Sequence, residues 1–431
     1  MVAGDKSDPV DVLILGGGPA GYVCAIRAAQ NGRQVTLVER GRVGGVCLNE
    51  GCIPSKHLAL FAAAHPGCRD LAEFQTSRTA AVDKLVGGVS SLLKAAGVAI
   101  IQGSAWFVGQ TRICVEVGEE SVRYFDFKDV VIATGSLALP MDGHPFDGER
   151  VVGPREALAW MSVPETLAIA GDDYIAVELA VAFARLGSRV TLTSAADRLL
   201  PDFDPDLSAA ADRGARSLGV EVALAANPAS IVEDAERVIV SGGRRPNVDG
   251  LHLSAAGITV GVEGFRVDRQ MRLDRHVFAI GDVTEGLPLA HRSTMQGRVA
   301  GDVLGGKPAA MDVRALPRVV YAEPELAGVG ATEGDSAKLP LAALGRAVID
   351  GSTAGFVKLV FDKGSGVITG AHIAAPRATD LIGEMTLAIE MGATLEDVAL
   401  TAHAHPTFAE GALEAAELAL GRPIHVRSLR R

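Results

Sequence analysis

The stretch VDVLIL followed by GGGPAG, Val10 to Gly21, constrains the fold more than any other part of the chain. Val10–Leu15 is an unbroken apolar run of strand formers. A helical pattern follows to Gln30, Asn31–Gly32 stops it, and Gln34–Glu39 reads as a second strand. That order is a βαβ unit, and a βαβ unit implies a parallel sheet. Gly16 permits the tight turn, Gly18 lets backbone approach a pyrophosphate, and Gly21 lets the helix close on the strand. Glu39 follows about 20 residues on, placed for ribose hydroxyls. The helix N-terminus adds free N–H groups and a positive dipole end, so the unit is expected to hold a dinucleotide. The glycine pattern alone would be weak; its position between strand and helix makes it specific.

A similar unit runs from Leu167 to Thr193, and shorter strand patterns occupy Asp129–Ser136, Arg237–Asn247 and His276–Thr284. Alternating short strands around Ala99–Glu120 suggest a β-meander. Beyond Met311 the pattern changes to antiparallel strands and two helices, near Ala378–Met391 and Phe408–Leu420, which is an α+β module. With 431 residues, 48% of them hydrophobic and only 4% aromatic, the chain suits several α/β layers. A net charge of −11 argues against a nucleic-acid partner, which would need a basic face. No apolar run reaches the roughly 18–20 residues of a membrane span. The first ten residues lack the apolar core of a signal peptide, so a cytoplasmic protein is expected.

Of the five cysteines, Cys24, Cys68 and Cys114 read as packing residues. None of the spacings suits a metal cluster, so no metal is expected. Cys47 and Cys52 lie in GGVCLNEGCIPSK (Gly44–Lys56). In a regular helix their Cα atoms would be roughly 8–9 Å apart, whereas a disulfide needs less than about 7 Å. A bridge therefore needs distorted backbone, which Gly51 would permit. The pair is either two packing thiols or a redox couple beside a dinucleotide unit. A base titrating near neutrality would serve thiol exchange. His405 fits, with Glu410 five residues on, after a Pro–Thr turn, to fix its tautomer. His403 reads as structural.

GGVCLNEGCIPSK, VVIATGS, FAIGDV and AHAHPTFAEG occur in this order, and on these motifs the whole chain resembles the flavin-dependent pyridine nucleotide–disulfide oxidoreductases, within them the dihydrolipoamide dehydrogenase branch. The resemblance implies two Rossmann-like dinucleotide-binding domains and a C-terminal α+β dimerisation domain. Residues 1–145 and 266–310 would bind FAD, 146–265 would be a reduced NAD(P)-binding-like domain, and 311–431 would be the dimer interface. Gly16, Gly18, Gly21 and Glu39 would hold the ADP part of FAD, Asp282 the ribityl chain, and Ala290 would lie along the flavin. Lys56 would sit near flavin N5, paired with Glu178. Cys52 would face the flavin and Cys47 would exchange with substrate sulfur. His405, oriented by Glu410, would come from the partner subunit of a homodimer. Tyr174, in YIAVE, resembles the flavin-covering tyrosine of glutathione reductase. The ending GRPIHVRSLRR has no cysteine pair, unlike mercuric and large thioredoxin reductases.

The second unit departs from the family. In AGDDYIAVE, Gly171, Asp173 and Ala176 fall at the three glycine positions. A side chain at the second position blocks the pyrophosphate, and a carboxylate repels it by roughly 1 kcal/mol at 4 Å in water, or about 4 kcal/mol at an effective dielectric of 20. Ser194 stands where an NAD-preferring relative carries an acid, and no arginine replaces it. The segment from Val220 to Val238 is short. Asp172 and Asp173 can serve as helix caps. The expectation is a dithiol/disulfide oxidoreductase, acting on a small dithiol or a lipoyl-like carrier protein, with NAD(P) coupling weak or lost. The alternatives are a dithiol oxidase using oxygen or another acceptor, an ordinary NAD-dependent dihydrolipoyl dehydrogenase with a drifted turn, and a non-catalytic flavoprotein subunit.

Overall fold

The computed structural model describes residues 7–118, 121–141, 145–227 and 234–427. The expectations for the extreme N-terminus, for part of the short segment after Val220 and for the last four residues lie outside these. The chain divides into two compact units. The first comprises Met1–His57, Ala72–Leu139 and Gly243–Asp312, and the second Leu58–Leu71, Pro140–Gly242 and Val313–Arg431.

The first unit opens with β1 (Ser7–Leu15), α1 (Pro19–Gln30) and β2 (Val35–Glu39). Then come α2 (Gly45–Asn49), α3 (Cys52–Ala64, which runs on into the second unit), α4 (Ala72–Ala95) and β3 (Ala99–Gln102). β4 (Ser104–Gly109), β5 (Arg112–Val117) and β6 (Ser121–Ile132) complete its first half. β1 pairs in parallel with both β2 and β6, and the parallel strand Val277–Ala279 extends the sheet beyond β6. The strand order reverses between β1 and β6, so ligands are expected at the carboxyl end of β1, where the glycine turn lies.

The expected meander is shorter than its sequence pattern. β3 belongs to the parallel sheet, pairing Thr36 with Ala99, and only β4, β5 and β6 form antiparallel neighbours. The change of direction is at Gly103, where a Cβ would come within 2.2 Å of the Glu116 carbonyl oxygen. Helix Ala290–Leu304 lies against α1 at backbone distance. Gly297 and Gly301, one helical turn apart, make this possible: a Cβ on Gly297 would sit 2.4 Å from Ala20 O, and one on Gly301 2.6 Å from Arg27 Cβ.

The second unit holds a five-stranded parallel sheet in the order Glu221–Ala223, Arg189–Thr193, Thr166–Ala170, Arg237–Val240, Val151–Val152. Helix Tyr174–Arg185 connects its second βαβ strands and is buried along most of its length. Among the described residues, the crossing from Ala223 to Arg237 contains no strand. A five-stranded antiparallel sheet follows, Arg318–Val320, Leu326–Gly330, Ile368–Ala374, Phe356–Phe361, Asp335–Pro340, covered by helices Ala378–Met391 and Glu410–Ala419. Asp204 caps helix Pro205–Ser217 through the Asp206 N–H and accepts from Lys358 of the antiparallel sheet at 2.9 Å, so the two sheets of this unit are tied by a buried ion pair.

Candidate active site

The first glycine turn combines two crowded glycines with an open one. Gly16 has φ +104°, and its Cβ would lie 2.4 Å from the Ala133 carbonyl oxygen. A Cβ on Gly21 would lie 1.9 Å from Gly16 O. Both glycines are therefore demanded by the fold itself. Gly18 is not: a Cβ there would meet only Gly45 Cα, at 3.8 Å. Gly18 also N-caps α1 with no side chain on the helix N–H groups. An open glycine facing uncapped donors suits the pyrophosphate of FAD. Glu39 steadies the turn, accepting from Gly17 N–H at 2.6 Å and Gly41 N–H at 2.7 Å.

The cysteine segment docks directly on this turn. Gly44 N–H donates to Gly17 O at 2.8 Å, and a Cβ on Gly45 would come 2.7 Å from Gly18 Cα. These two glycines gave no signal beyond their place in the motif. The helix carrying Cys47 ends at Asn49, and a new helix starts at Cys52, so the backbone breaks at Glu50–Gly51. That break brings the thiols together. Neither is in a disulfide, both are half-buried, and they are hydrogen-bonded to each other. The bond to Cys52 and burial push the Cys47 thiol far above its ordinary range, while the Lys56 cation works the other way. The Cys47 thiol therefore holds its proton tightly while Cys52 lies beside it. Cys24, fully buried in α1, is pushed up to about 12 by desolvation and is inert by comparison.

Asp282 lies in the short 3₁₀ turn Gly281–Val283, just before helix Ala290–Leu304, whose first residue is Ala290. Its two oxygens accept from Ser136 Oγ at 2.8 Å and Ser293 Oγ at 3.2 Å. Asp282 raises the cost of a Cys47 thiolate, which places the carboxylate and the thiol in one electrostatic neighbourhood.

In the second unit, His405 Nδ1 meets Glu410 Oε1 at 2.8 Å, and Glu410 Oε2 accepts the Thr407 N–H at 2.7 Å. Burial raises the Glu410 carboxyl, but the Thr407 N–H and the His405 imidazole outweigh it and hold the group below the usual carboxylate range. The His405 side chain is 76% exposed. His403 is different: its nitrogens are spent on Glu384, at 2.8 Å, and Thr401 O, at 2.9 Å.

The second glycine turn is filled from within. Gly171 has φ +153°, and its Cβ would fall 2.6 Å from Ser241 O. Asp173 N-caps helix Tyr174–Arg185, accepting from Ala176 N–H at 2.9 Å, while Ser241 Oγ donates to its two oxygens at 2.8 and 2.9 Å. The neighbouring Asp172 accepts from Ser194 Oγ. The donor that would greet a phosphate thus holds a carboxylate belonging to the chain, and Ser194 is committed to the same turn. Ser241 had no sequence signal. Glu178, in the next helical turn, is 4% exposed and accepts from Tyr321 N–H at 3.1 Å; Tyr174 begins the helix.

Desolvation, with repulsion from Asp172 and Glu178, pushes the Asp173 carboxyl up to about 6, although Ala176 and Ser241 pull it down. A raised acid binds its proton more tightly folded than unfolded. Stability is therefore expected to fall as pH rises from about 4 to 6, by roughly 1–3 kcal/mol, and to stay lower above that. Asp173→Asn keeps the cap without the charge. It is expected to raise the melting temperature at pH 8 and leave it unchanged near pH 4; equal shifts at both pH values would contradict this.

Fold and site together define a flavin-linked disulfide oxidoreductase, and comparison agrees. The chain belongs to the pyridine nucleotide-disulphide oxidoreductase family, whose profile matches residues 10–297, with the family's dimerisation domain matching 316–416. It is a flavin-dependent oxidoreductase acting on sulfur groups, with FAD as cofactor. It is 42% identical to a dihydrolipoyl dehydrogenase of Geobacillus stearothermophilus, covering 99% of each chain, and 39% identical to that of Bacillus subtilis (strain 168), covering 99% of this chain and all of the other. The first alignment runs over 471 positions against 431 residues here, so the relative carries residues that this chain lacks. Among solved structures, LpdA from Mycobacterium tuberculosis superposes with a TM-score of 0.87 at 26% identity, covering 95% of this chain and 99% of the other. The HOCl-induced flavoprotein disulfide reductase RclA from Escherichia coli gives 0.86, with the same identity and coverage. Among the described residues, no helix is long and apolar enough to cross a membrane, and no three His, Cys, Asp or Glu could hold a metal.

Proposed function

We propose that this enzyme oxidises a dihydrolipoyl-like dithiol, free or on a carrier protein, in the cytoplasm and as a homodimer, and passes the electrons to an acceptor other than NAD(P). The observation that carries the dithiol reading is the Cys47–Cys52 contact across a helix break, beside the Lys56 cation. The filled second turn supports the second half of the reading.

In the oxidised enzyme one substrate thiol attacks Cys47 Sγ, and His405 Nε2, supplied by the partner subunit, takes its proton. The Cys47–Cys52 bond breaks and Cys52 leaves as a thiolate, favoured by the Lys56 charge. The second substrate thiol then attacks the mixed disulfide, closing the product disulfide, and its proton goes to the departing Cys47 sulfur. FAD supplies the two-electron sink that returns the cysteines to the disulfide. Gly16, Gly18, Gly21 and Glu39 would hold its ADP part, Asp282 its ribityl chain, and Ala290 would contribute to the flavin pocket. Glu410, kept ionised, fixes the His405 tautomer with its proton on Nδ1, which leaves Nε2 as the base.

His405→Gln is expected to lower dithiol turnover about 10²- to 10⁴-fold at neutral pH. Steady-state kcat against pH would check this, and an unchanged profile would remove His405 from the mechanism. The reading as a whole is tested by anaerobic titration with dihydrolipoamide. The expected result is flavin bleaching with a long-wavelength absorbance from a thiolate beside the flavin. No spectral response to the dithiol would overturn it. The filled turn favours a dithiol oxidase as the second reading, and consumption of oxygen during dihydrolipoamide turnover would select it.

A further inference from the structure

The segment Gly242–Asn247, GGRRPN, is spent on the flavin side of the first unit. Strand Arg244–Pro246 pairs antiparallel with Ser136–Ala138, Asn247 Nδ2 donates to Thr134 O at 3.1 Å, and the Asn247 N–H donates to Gly135 O at 2.9 Å. These two segments are where the chain leaves the first unit, at Leu139, and re-enters it, at Gly243. At the centre of the clip, Arg244 Nε donates to Ser136 Oγ at 2.8 Å and Nη2 donates to Ser136 O at 3.0 Å. Ser136 is 6% exposed, and its hydroxyl is 2.8 Å from Asp282 Oδ2.

The direction of this chain of bonds is fixed by chemistry. A guanidinium only donates, and a serine hydroxyl has a single proton. With Arg244 Nε on one of its two lone pairs and the Asp282 carboxylate able only to accept, Ser136 gives that proton to Asp282. The carboxylate is then held on both oxygens, by Ser136 and Ser293, with its remaining lone pairs left for a ligand hydroxyl. Without Arg244 the hydroxyl could rotate to a carbonyl or accept from the ligand, and Asp282 would lose its fixed orientation.

We infer that Arg244 is a positioning residue for the FAD site, acting on Asp282 through the Ser136 hydroxyl. This rests on the reading that Asp282 binds the ribityl chain of FAD.

The test is the FAD dissociation constant of the apoprotein, followed by flavin fluorescence, for Asp282→Asn, Arg244→Met, Ser136→Ala and the Arg244→Met/Ser136→Ala pair, with circular dichroism to establish folding. Each single variant is expected to weaken FAD binding about 10- to 100-fold. The double variant should be no worse than either single, because both remove one relay. Arg244→Lys should restore only part of the affinity, since an ammonium cannot fork to Oγ and O together. Ser136→Ala leaves the backbone pairing and the Nη2 bond in place, so it reports on the relay even if Arg244→Met does not fold. Losses that multiply in the double variant, or wild-type affinity in Ser136→Ala, would overturn the inference. Wild-type affinity in Asp282→Asn would instead remove the reading of Asp282 on which it rests.

Discussion

Asp173→Gly is expected to let NADH or NADPH reduce the flavin of this enzyme. The substitution empties the turn of its own carboxylate, frees the Ala176 N–H and Ser241 Oγ that now hold it, and restores glycine at the position where backbone must approach a pyrophosphate. Removing one charge about 4 Å from a phosphate is worth up to about 4 kcal/mol at a surface-like dielectric. Nucleotide binding should tighten by about one to three orders of magnitude, read as the NADH concentration that half-saturates flavin bleaching in a stopped-flow experiment. The helix loses little, since glycine is itself a tolerated N-cap. Asp173→Asn separates charge from space. It should gain less than the glycine variant, because its side chain still fills the cradle. A glycine variant no more responsive to NADH than the parent would show that the turn is not what limits nucleotide use.

Cys47→Ser and Cys52→Ser should each abolish dithiol oxidation, with at least about a 10³-fold loss in kcat and bound FAD retained. Neither hydroxyl can form or break the exchangeable bond. The two should differ in colour. Cys47→Ser keeps the Cys52 thiol, released from the bond with Cys47 that now couples their protons. It should develop the long-wavelength thiolate band without any dithiol, whereas Cys52→Ser should never show it. Titrating both variants from pH 5 to 9 while recording the visible spectrum checks this, and identical spectra would reverse or remove the assigned roles.

The first dinucleotide unit was legible because β1, the glycine turn and α1 are consecutive in the chain and Gly21 closes on the nearby Gly16, although the neighbour that crowds Gly16 itself, Ala133, is distant in sequence. The helix break that joins Cys47 to Cys52 was legible for the same reason, since Gly51 lies between them. What was hidden depends on contacts across long stretches of chain. Ser136 and Arg244 are 108 residues apart, and Ser241 closes on Asp173 from 68 residues away. The Gly44–Gly45 step has no meaning until Gly17 and Gly18 are seen beneath it. β3 was misplaced because strand alternation does not distinguish a parallel from an antiparallel neighbour. Only the crowding at Gly103 shows where the chain turns out of the sheet.

The central claim is that electrons enter from a dithiol and do not leave through a nicotinamide nucleotide. The most direct measurement reduces the wild-type holoenzyme anaerobically with one equivalent of dihydrolipoamide and then adds NAD⁺ or NADP⁺ at millimolar concentration. The account predicts that the dithiol bleaches the flavin, that neither nucleotide restores its colour, and that oxygen or an artificial acceptor does. Rapid reoxidation by NAD⁺ with stoichiometric NADH would contradict it and make this an ordinary dihydrolipoyl dehydrogenase.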